Sequence, residues 1–153
     1  MFRRTTRHRL FCAAGTLLAL LAAPHTLLAQ DTTATVRGEL LRLINQHRQA
    51  NGKGPLSMDS RLNKAAQEHT DWMKATGTFS HTGKNGSSFF ERIEAAGGPS
   101  QGASAENIAL NSTAQAVFNA WRNSSGHNRN MLGSYSRIGI GSNGRYFTAV
   151  FTD

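Results

Sequence analysis

Three side chains in this sequence are of the kinds that hold cations or move protons: His81, Glu106 and His127. They lie on three separate segments. His81 stands in Phe79-Ser80-His81-Thr82-Gly83, where a helical pattern gives way to a loop rich in Gly, Asn and Ser. A ring at such an exit can face a cleft without displacing core. Glu106 stands in Ala105-Glu106-Asn107-Ile108-Ala109-Leu110, one carboxylate among small and apolar neighbours. Partly desolvated, it needs a cation, a metal or a donor, and an arginine such as Arg92 or Arg129 meets that need as well as a metal does. His127 follows a Ser124-Ser125-Gly126 break after Trp121 and precedes Asn128, Arg129 and Asn130, a run rich in donors. Brought together, two neutral imidazoles and a carboxylate suit a zinc site with positions left for water. The same residues equally suit a base and its orienter in a hydrolase.

Other routes to chemistry are narrower. No His-Glu-x-x-His run is present, and the one cysteine, Cys12, lies in an apolar run near the start of the chain. Ser80, Ser124 and Ser125 are the serines nearest these histidines in sequence. A serine beside glycine at a helix break is ordinarily a cap or turn residue.

The elements that must position these groups follow from periodicity. Val36, Leu40, Leu43, Ile44 and His47 recur at helical spacing up to Asn51-Gly52, with Gly54-Pro55 just beyond. A second helix starts near Ser57 or Asp59 and carries Leu62, Ala65, Ala66, His69, Trp72 and Met73 on one face as far as Gly77. His47 and His69 sit on apolar stripes and read as hydrogen-bonded packing residues. Ser88-Phe89-Phe90-Glu91 has the form of a capping box and opens a short helix that closes at Gly97-Gly98-Pro99, with Glu91 as cap and Arg92 solvated or paired. Ser112 to Gln115 repeats the capping-box form ahead of a helix that buries Ala114, Val117, Phe118 and Trp121. The period then changes: Ile138 and Ile140, then Phe147, Ala149 and Phe151, flank Ser142-Asn143-Gly144-Arg145, a β-hairpin signal. Helices first and antiparallel strands last predict an α+β domain with helices packed on a small antiparallel sheet.

A chain of 153 residues is long enough for one domain. Arg3, Arg4, Arg7 and Arg9, the apolar run Leu10 to Ala23 and Leu27-Leu28-Ala29 together read as a secretory signal over residues 1–29, cut ahead of Gln30, with the domain in 30–153. No apolar stretch reaches comfortable spanning length, so no transmembrane anchor is expected. Without that segment the formal net charge falls from +8 to +4 and no thiol remains. The remaining basic residues are scattered from Arg37 to Arg145 without interleaved aromatics, which argues against a nucleic-acid partner. The expectation is a secreted or periplasmic monomer held together by its core alone.

Leu-Ile-Asn-Gln-His-Arg in the first helix, the Phe-Ser-His exit, Ala-Glu-Asn-Ile-Ala, Trp-Arg-Asn-Ser-Ser-Gly-His-Asn-Arg-Asn-Met-Leu and Ile-Gly-Ile-Gly, in that order, resemble the CAP superfamily, or SCP-like extracellular domain. The absence of disulfides is similar to its bacterial branch, and the likeness runs from about Val36 onward. The resemblance implies a three-layer α-β-α sandwich and a groove of two histidines and two acidic residues that in several relatives binds zinc or a similar cation. Its histidines carry over to His81 and His127 and one acid to Glu106. The other acid lies three positions after the tryptophan in many relatives, and Ser124 stands there. A divalent cation would then be weakly held, with Ser124, Asn107 or Asn128 lining the groove and steering a water. Three functions follow as expectations: a binding module with a cation-accepting cleft, a metal-assisted hydrolase of peptides or cell-wall material, and a lipid or sterol carrier with Phe79, Phe89, Phe90 and Phe118 along an apolar groove.

Overall fold

The run Ile138-Gly139-Ile140-Gly141 sets the layering of the fold. Its isoleucines are fully buried on one side of a strand, and its glycines leave the other side bare for a helix to lie against. The computed structural model describes residues 25–153, with side chains from residue 33 onward. Its elements in order are α1 (His25–Ala50), β1 (Ser57–Met58), α2 (Ser60–Thr76), a 3-10 turn (Lys84–Gly86), α3 (Phe89–Ala95), β2 (Ser104–Leu110), α4 (Ala114–Asn123), α5 (Ser125–Met131), β3 (Arg137–Asn143) and β4 (Tyr146–Thr152). The strands form one sheet in the order β1-β3-β4-β2.

One face of the sheet packs against α1 and α4 through Leu40, Ile44, Phe118, Trp121, Ile140 and Phe151. The opposite face meets α2 and α3 through Leu62, Ala65, Ala66, Ile93 and Val150. This is the α-β-α sandwich. Along β2 the alternation puts Ala105, Asn107 and Ala109 toward α4 and α5, and Glu106 toward α3. The two sides of β2 thus deliver neighbouring polar residues to different layers.

α2 can lie close to β3 because Gly139 and Gly141 have no side chains. A β-carbon on Gly139 would fall 2.0 Å from the Leu62 carbonyl carbon, and one on Gly141 would fall 2.4 Å from the Ala66 oxygen. Proximity also lets α2 seal the part of β3 that β1 leaves unpaired. Asn63 Oδ1 accepts from the Ile140 amide, and Gln67 both accepts from Ser142 N–H and donates to Ser142 C=O. A strand edge closed by side chains in this way is protected from pairing with another chain.

The structure departs from the sequence reading in four places. The sheet is mixed, because β1 runs parallel to β3, pairing Ser57 with Arg137 and Met58 with Ile138; Asn45 fixes that entry by exchanging two hydrogen bonds with the backbone of Leu56. Ala105–Leu110, where periodicity indicates no element, lies in strand β2, in which residues 105 to 109 are all buried. A strand covered on both faces shows no alternation. Thr113 caps α4 in place of Ser112, its hydroxyl accepting from Ala116 N–H. His127 follows no open break but lies within helix α5, which includes Gly126. The segment 1–29 read as a signal falls outside the described residues up to position 24, and at 25–29 the backbone continues helix α1. The hairpin is as expected, with Asn143 paired to Tyr146 and Gly144 at the first loop position with φ 62°.

Asp59 caps α2, accepting from the Arg61 and Leu62 amides. Its side-chain bonds to Arg61 hold its carboxyl down at about 2, below the ordinary 3.8. A carboxyl that binds its proton more weakly when folded adds stability above the unfolded value and loses it as pH falls through the folded one. Wild type is therefore expected to exceed Asp59→Asn in urea midpoint at pH 6, with the gap narrowing steadily below pH 4 and nearly closed at pH 2. An unchanged gap at pH 2 contradicts this account.

Candidate functional site

Glu106 is the buried centre of a small network. Its side chain is 1% exposed, and both oxygens are engaged: Oε1 accepts from Nδ1 of His81 at 2.8 Å, and Oε2 from Nη2 of Arg92 at 2.7 Å. A carboxylate only accepts, so the hydrogen in the first contact belongs to His81 Nδ1. In the neutral ring that leaves Nε2 as the acceptor, on a side chain that is 55% exposed. The geometry is that of a base and its orienter.

Arg92 is fixed as firmly as the carboxylate it meets. The Ser88–Glu91 capping box forms as the sequence predicts and sets the start of α3, so that Arg92 projects toward β2. Its guanidinium donates also to the carbonyls of Ser87 and His81. It therefore ties the His81 carbonyl to the Ser87 carbonyl across the turn at 82–86. Gly83 makes room for it, since a β-carbon there would lie 2.7 Å from Nη1 of Arg92 and 3.2 Å from Nδ1 of His69. His69, on α2, donates from Nε2 to the Ser80 carbonyl and stacks on Trp72, which braces the start of the same loop. Its buried Nδ1 has no partner. Burial first and the Arg92 charge second push its ring below the usual histidine range, which keeps it neutral.

A second set of polar residues comes from the opposite layer. Asn107 is fully buried and donates to the His127 carbonyl, while Asn130 donates to Asn107 Oδ1 and, at 3.3 Å, to the Glu106 carbonyl. These bonds fasten α5 to the outer edge of β2. Asn128 accepts at 2.8 Å from Nε2 of His47, which fastens the same helix to α1. Ser124 joins the two helices through its backbone, donating to Trp121 and accepting from Asn128, and its hydroxyl does not cap α5. His127 is half-buried at this edge. Burial, and then the nearby His81, push its imidazole below the ordinary range.

The fold therefore joins His81 to Glu106 directly and brings His127 within electrostatic reach of His81. Asn107 and Asn128 use their amides to hold α5. Arg92, one of two arginines named as partners for Glu106, is the one that binds it; Asn130 and the buried His69 complete the support. Asn130 is the third donor after His127 in the Asn-Arg-Asn run, and nothing in that run separates it from Asn128. Gly98-Pro99-Ser100-Gln101-Gly102 carries the letters of a nucleophile elbow, but it connects helix α3 to strand β2, the reverse of the strand-to-helix order that exposes such a serine. The four aromatics considered for an apolar groove are divided: Phe118 belongs to the core under α4, and Phe89 packs against the α2–α3 core.

A divalent cation is a poor fit to these residues as placed. Among the described residues no group of three or more His, Cys, Asp or Glu stands close enough together to hold one. Both oxygens of Glu106 already face donors, and one of those donors is a permanent cation. Among the described residues no helix is long and apolar enough to cross a membrane.

Similarity to known proteins extends over the same elements. The solved structures that the chain resembles include an extracellular protein with an SCP domain from Bacillus anthracis (TM-score 0.78, 24% identity, covering 85% of this chain and 43% of that one). An outer surface protein from Borrelia burgdorferi matches with a TM-score of 0.67 and 24% identity over 74% of this chain and 89% of that one. These likenesses concern the fold. Among curated proteins of Bacillus subtilis, the uncharacterized protein YkwD is 32% identical over 115 residues, 74% of this chain and 44% of its own length. The uncharacterized membrane protein YlbC is 34% identical over 119 residues, 76% of this chain and 34% of its own length. The chain thus spans less than half the length of either. Residues 41–151, which include His81, Glu106 and His127 and contain no cysteine, match the model for "CAP: Cysteine-rich secretory protein family", and the chain belongs to that family in its disulfide-free form.

Proposed function

We propose that this chain is an extracytoplasmic, monomeric, non-enzymatic binding module whose ligand is seated by His81 and His127 at the outer edge of β2. The observation that carries the reading is the mounting of His81. Its Nδ1 is locked on a carboxylate that is 1% exposed, while the side chain itself is 55% exposed. An exposed side chain held this rigidly has little freedom to lose on binding, which is how a protein prepares a contact. The location outside the cytoplasm is supported by the likeness to an extracellular and an outer-surface protein and by the signal-like start of the sequence. The ligand class follows from the walls of the cleft: two imidazoles and the backbone of α5 suit a polar, peptide-bearing envelope fragment. The division of the aromatics between two layers disfavours a lipid.

Soluble muropeptides serve as the probe. Titrated into 15N-labelled protein, they are expected to shift the amides of residues 80–83, 105–107 and 126–128. His81→Ala and His127→Ala are each expected to weaken binding about tenfold, the loss of one good hydrogen bond to a ligand. Perturbations confined to other surfaces, or affinity unchanged by both substitutions, reject the reading. Release of product fragments during the titration rejects its non-enzymatic part.

A further inference from the structure

We infer that Arg92 is the specificity-determining residue of this cleft: its guanidinium stands where a divalent cation would have to approach Glu106, so the site carries a built-in organic cation and excludes metal. The inference rests on the reading of the cleft as a binding site and concerns what that site refuses.

The geometry has three parts. Glu106 has no oxygen free, since Oε1 holds His81 and Oε2 holds Arg92. Arg92 cannot simply swing aside. Its side chain is 12% exposed, and leaving would also release the carbonyls of Ser87 and His81, which it holds together across the turn that follows the imidazole. The pocket is also shaped for it, because only a residue without a β-carbon at position 83 leaves space for Nη1. A metal could still reach the outward Nε2 of His81, with Glu106 serving only to orient the ring. That leaves His81 and His127 as the protein ligands, two where zinc sites ordinarily use three or four. The fixed charge of Arg92 would repel the incoming ion as well.

The test is a zinc titration of the whole protein, followed by calorimetry and by the 15N signals of the histidine side chains. Wild type and Arg92→Lys are expected to give negligible heat and unmoved imidazole nitrogens at equimolar zinc. Arg92→Met frees Oε2 and is expected to gain zinc affinity on the order of 10- to 100-fold, the scale on which such neighbouring groups tune metal sites. The gain should vanish in Arg92→Met/Glu106→Gln. A folded Arg92→Met that binds zinc no better than wild type overturns the inference. So does wild-type protein whose His81 and His127 nitrogens shift with zinc, and this second measurement decides the matter if circular dichroism shows Arg92→Met unfolded. Zinc binding by wild type would leave the muropeptide reading intact, whereas loss of the muropeptide result leaves the zinc comparison fully interpretable.

Discussion

Gly139→Ala is expected to destabilise the protein by about 4 kcal/mol or more, a large part of the roughly 5–15 kcal/mol that holds a domain of this size folded. The added carbon would lie 2.0 Å from the carbonyl carbon of Leu62, 2.3 Å from its oxygen and 2.4 Å from the Asn63 nitrogen. All three are backbone atoms of α2, so no rotamer change relieves the clash and the helix itself must lift. Overpacking in a core typically costs about 1–3 kcal/mol even where side chains can give way. Here lifting α2 also loosens Leu62, Ala65 and Ala66 from Val150, and it stretches the bonds from Asn63 and Gln67 to the edge of β3. Each of those bonds is worth roughly 1 kcal/mol. Gly141→Ala should act in the same direction, since its carbon would meet the Ala66 backbone at 2.4 Å. Gly38→Ala is the control: it lies in α1 with nothing within 4 Å, and relief of helical glycine should stabilise by about 0.5–1 kcal/mol. Urea unfolding of the three variants is the measurement, and equal midpoints for Gly139→Ala and Gly38→Ala would show that the helix-on-strand contact is looser than described.

The glycines of β3 also show what a single sequence discloses. The hairpin and the helical stripes were legible because each follows from a local period: two for Ile138, Ile140 and Phe147 to Phe151, and 3.6 for Leu40 to His47 and Leu62 to Met73. That the glycines between the isoleucines make room for α2 is invisible in the sequence, since it depends on which helix crosses the strand. β2 was unreadable for the opposite reason. Five consecutive buried residues erase the alternation, and the polar members, Glu106 and Asn107, are buried because each finds partners from a different layer. Residue type and family motif singled out His81, Glu106 and His127, of which the fold joins the first two directly and sets the third within electrostatic reach of His81. Its wiring was not. Arg92 and Arg129 are equal as sequence, and only the capping box of α3 and the space at Gly83 decide that Arg92 takes the carboxylate. His47, read as a hydrogen-bonded packing residue on a stripe, does lie edge-on to Phe118, and its Nε2 holds Asn128 and with it the helix that carries His127.

Breaking the Arg92–Glu106 pair from one side is expected to cost about 3–5 kcal/mol, because the carboxylate left behind is buried and uncompensated. The cost arises from the orphaned charge more than from the lost attraction. That distinction has a measurable consequence. Arg92→Met leaves Glu106 with His81 as its one remaining side-chain partner. Glu106→Gln leaves Arg92 its two carbonyl partners, and as Arg92 is the more exposed of the pair its charge is better hydrated. Arg92→Met should therefore be the more damaging single change. In the double variant Arg92→Met/Glu106→Gln the charge is gone from both sides, and the introduced amide can still accept from His81 Nδ1 through its oxygen. The double variant is expected to be more stable than Arg92→Met alone, with an interaction free energy of roughly 2–3 kcal/mol in a cycle built from urea midpoints. Strict additivity of the two single changes would mean that Glu106 is hydrated or protonated in the folded protein, and the account of Arg92 as the resident cation of the cleft would fall with it.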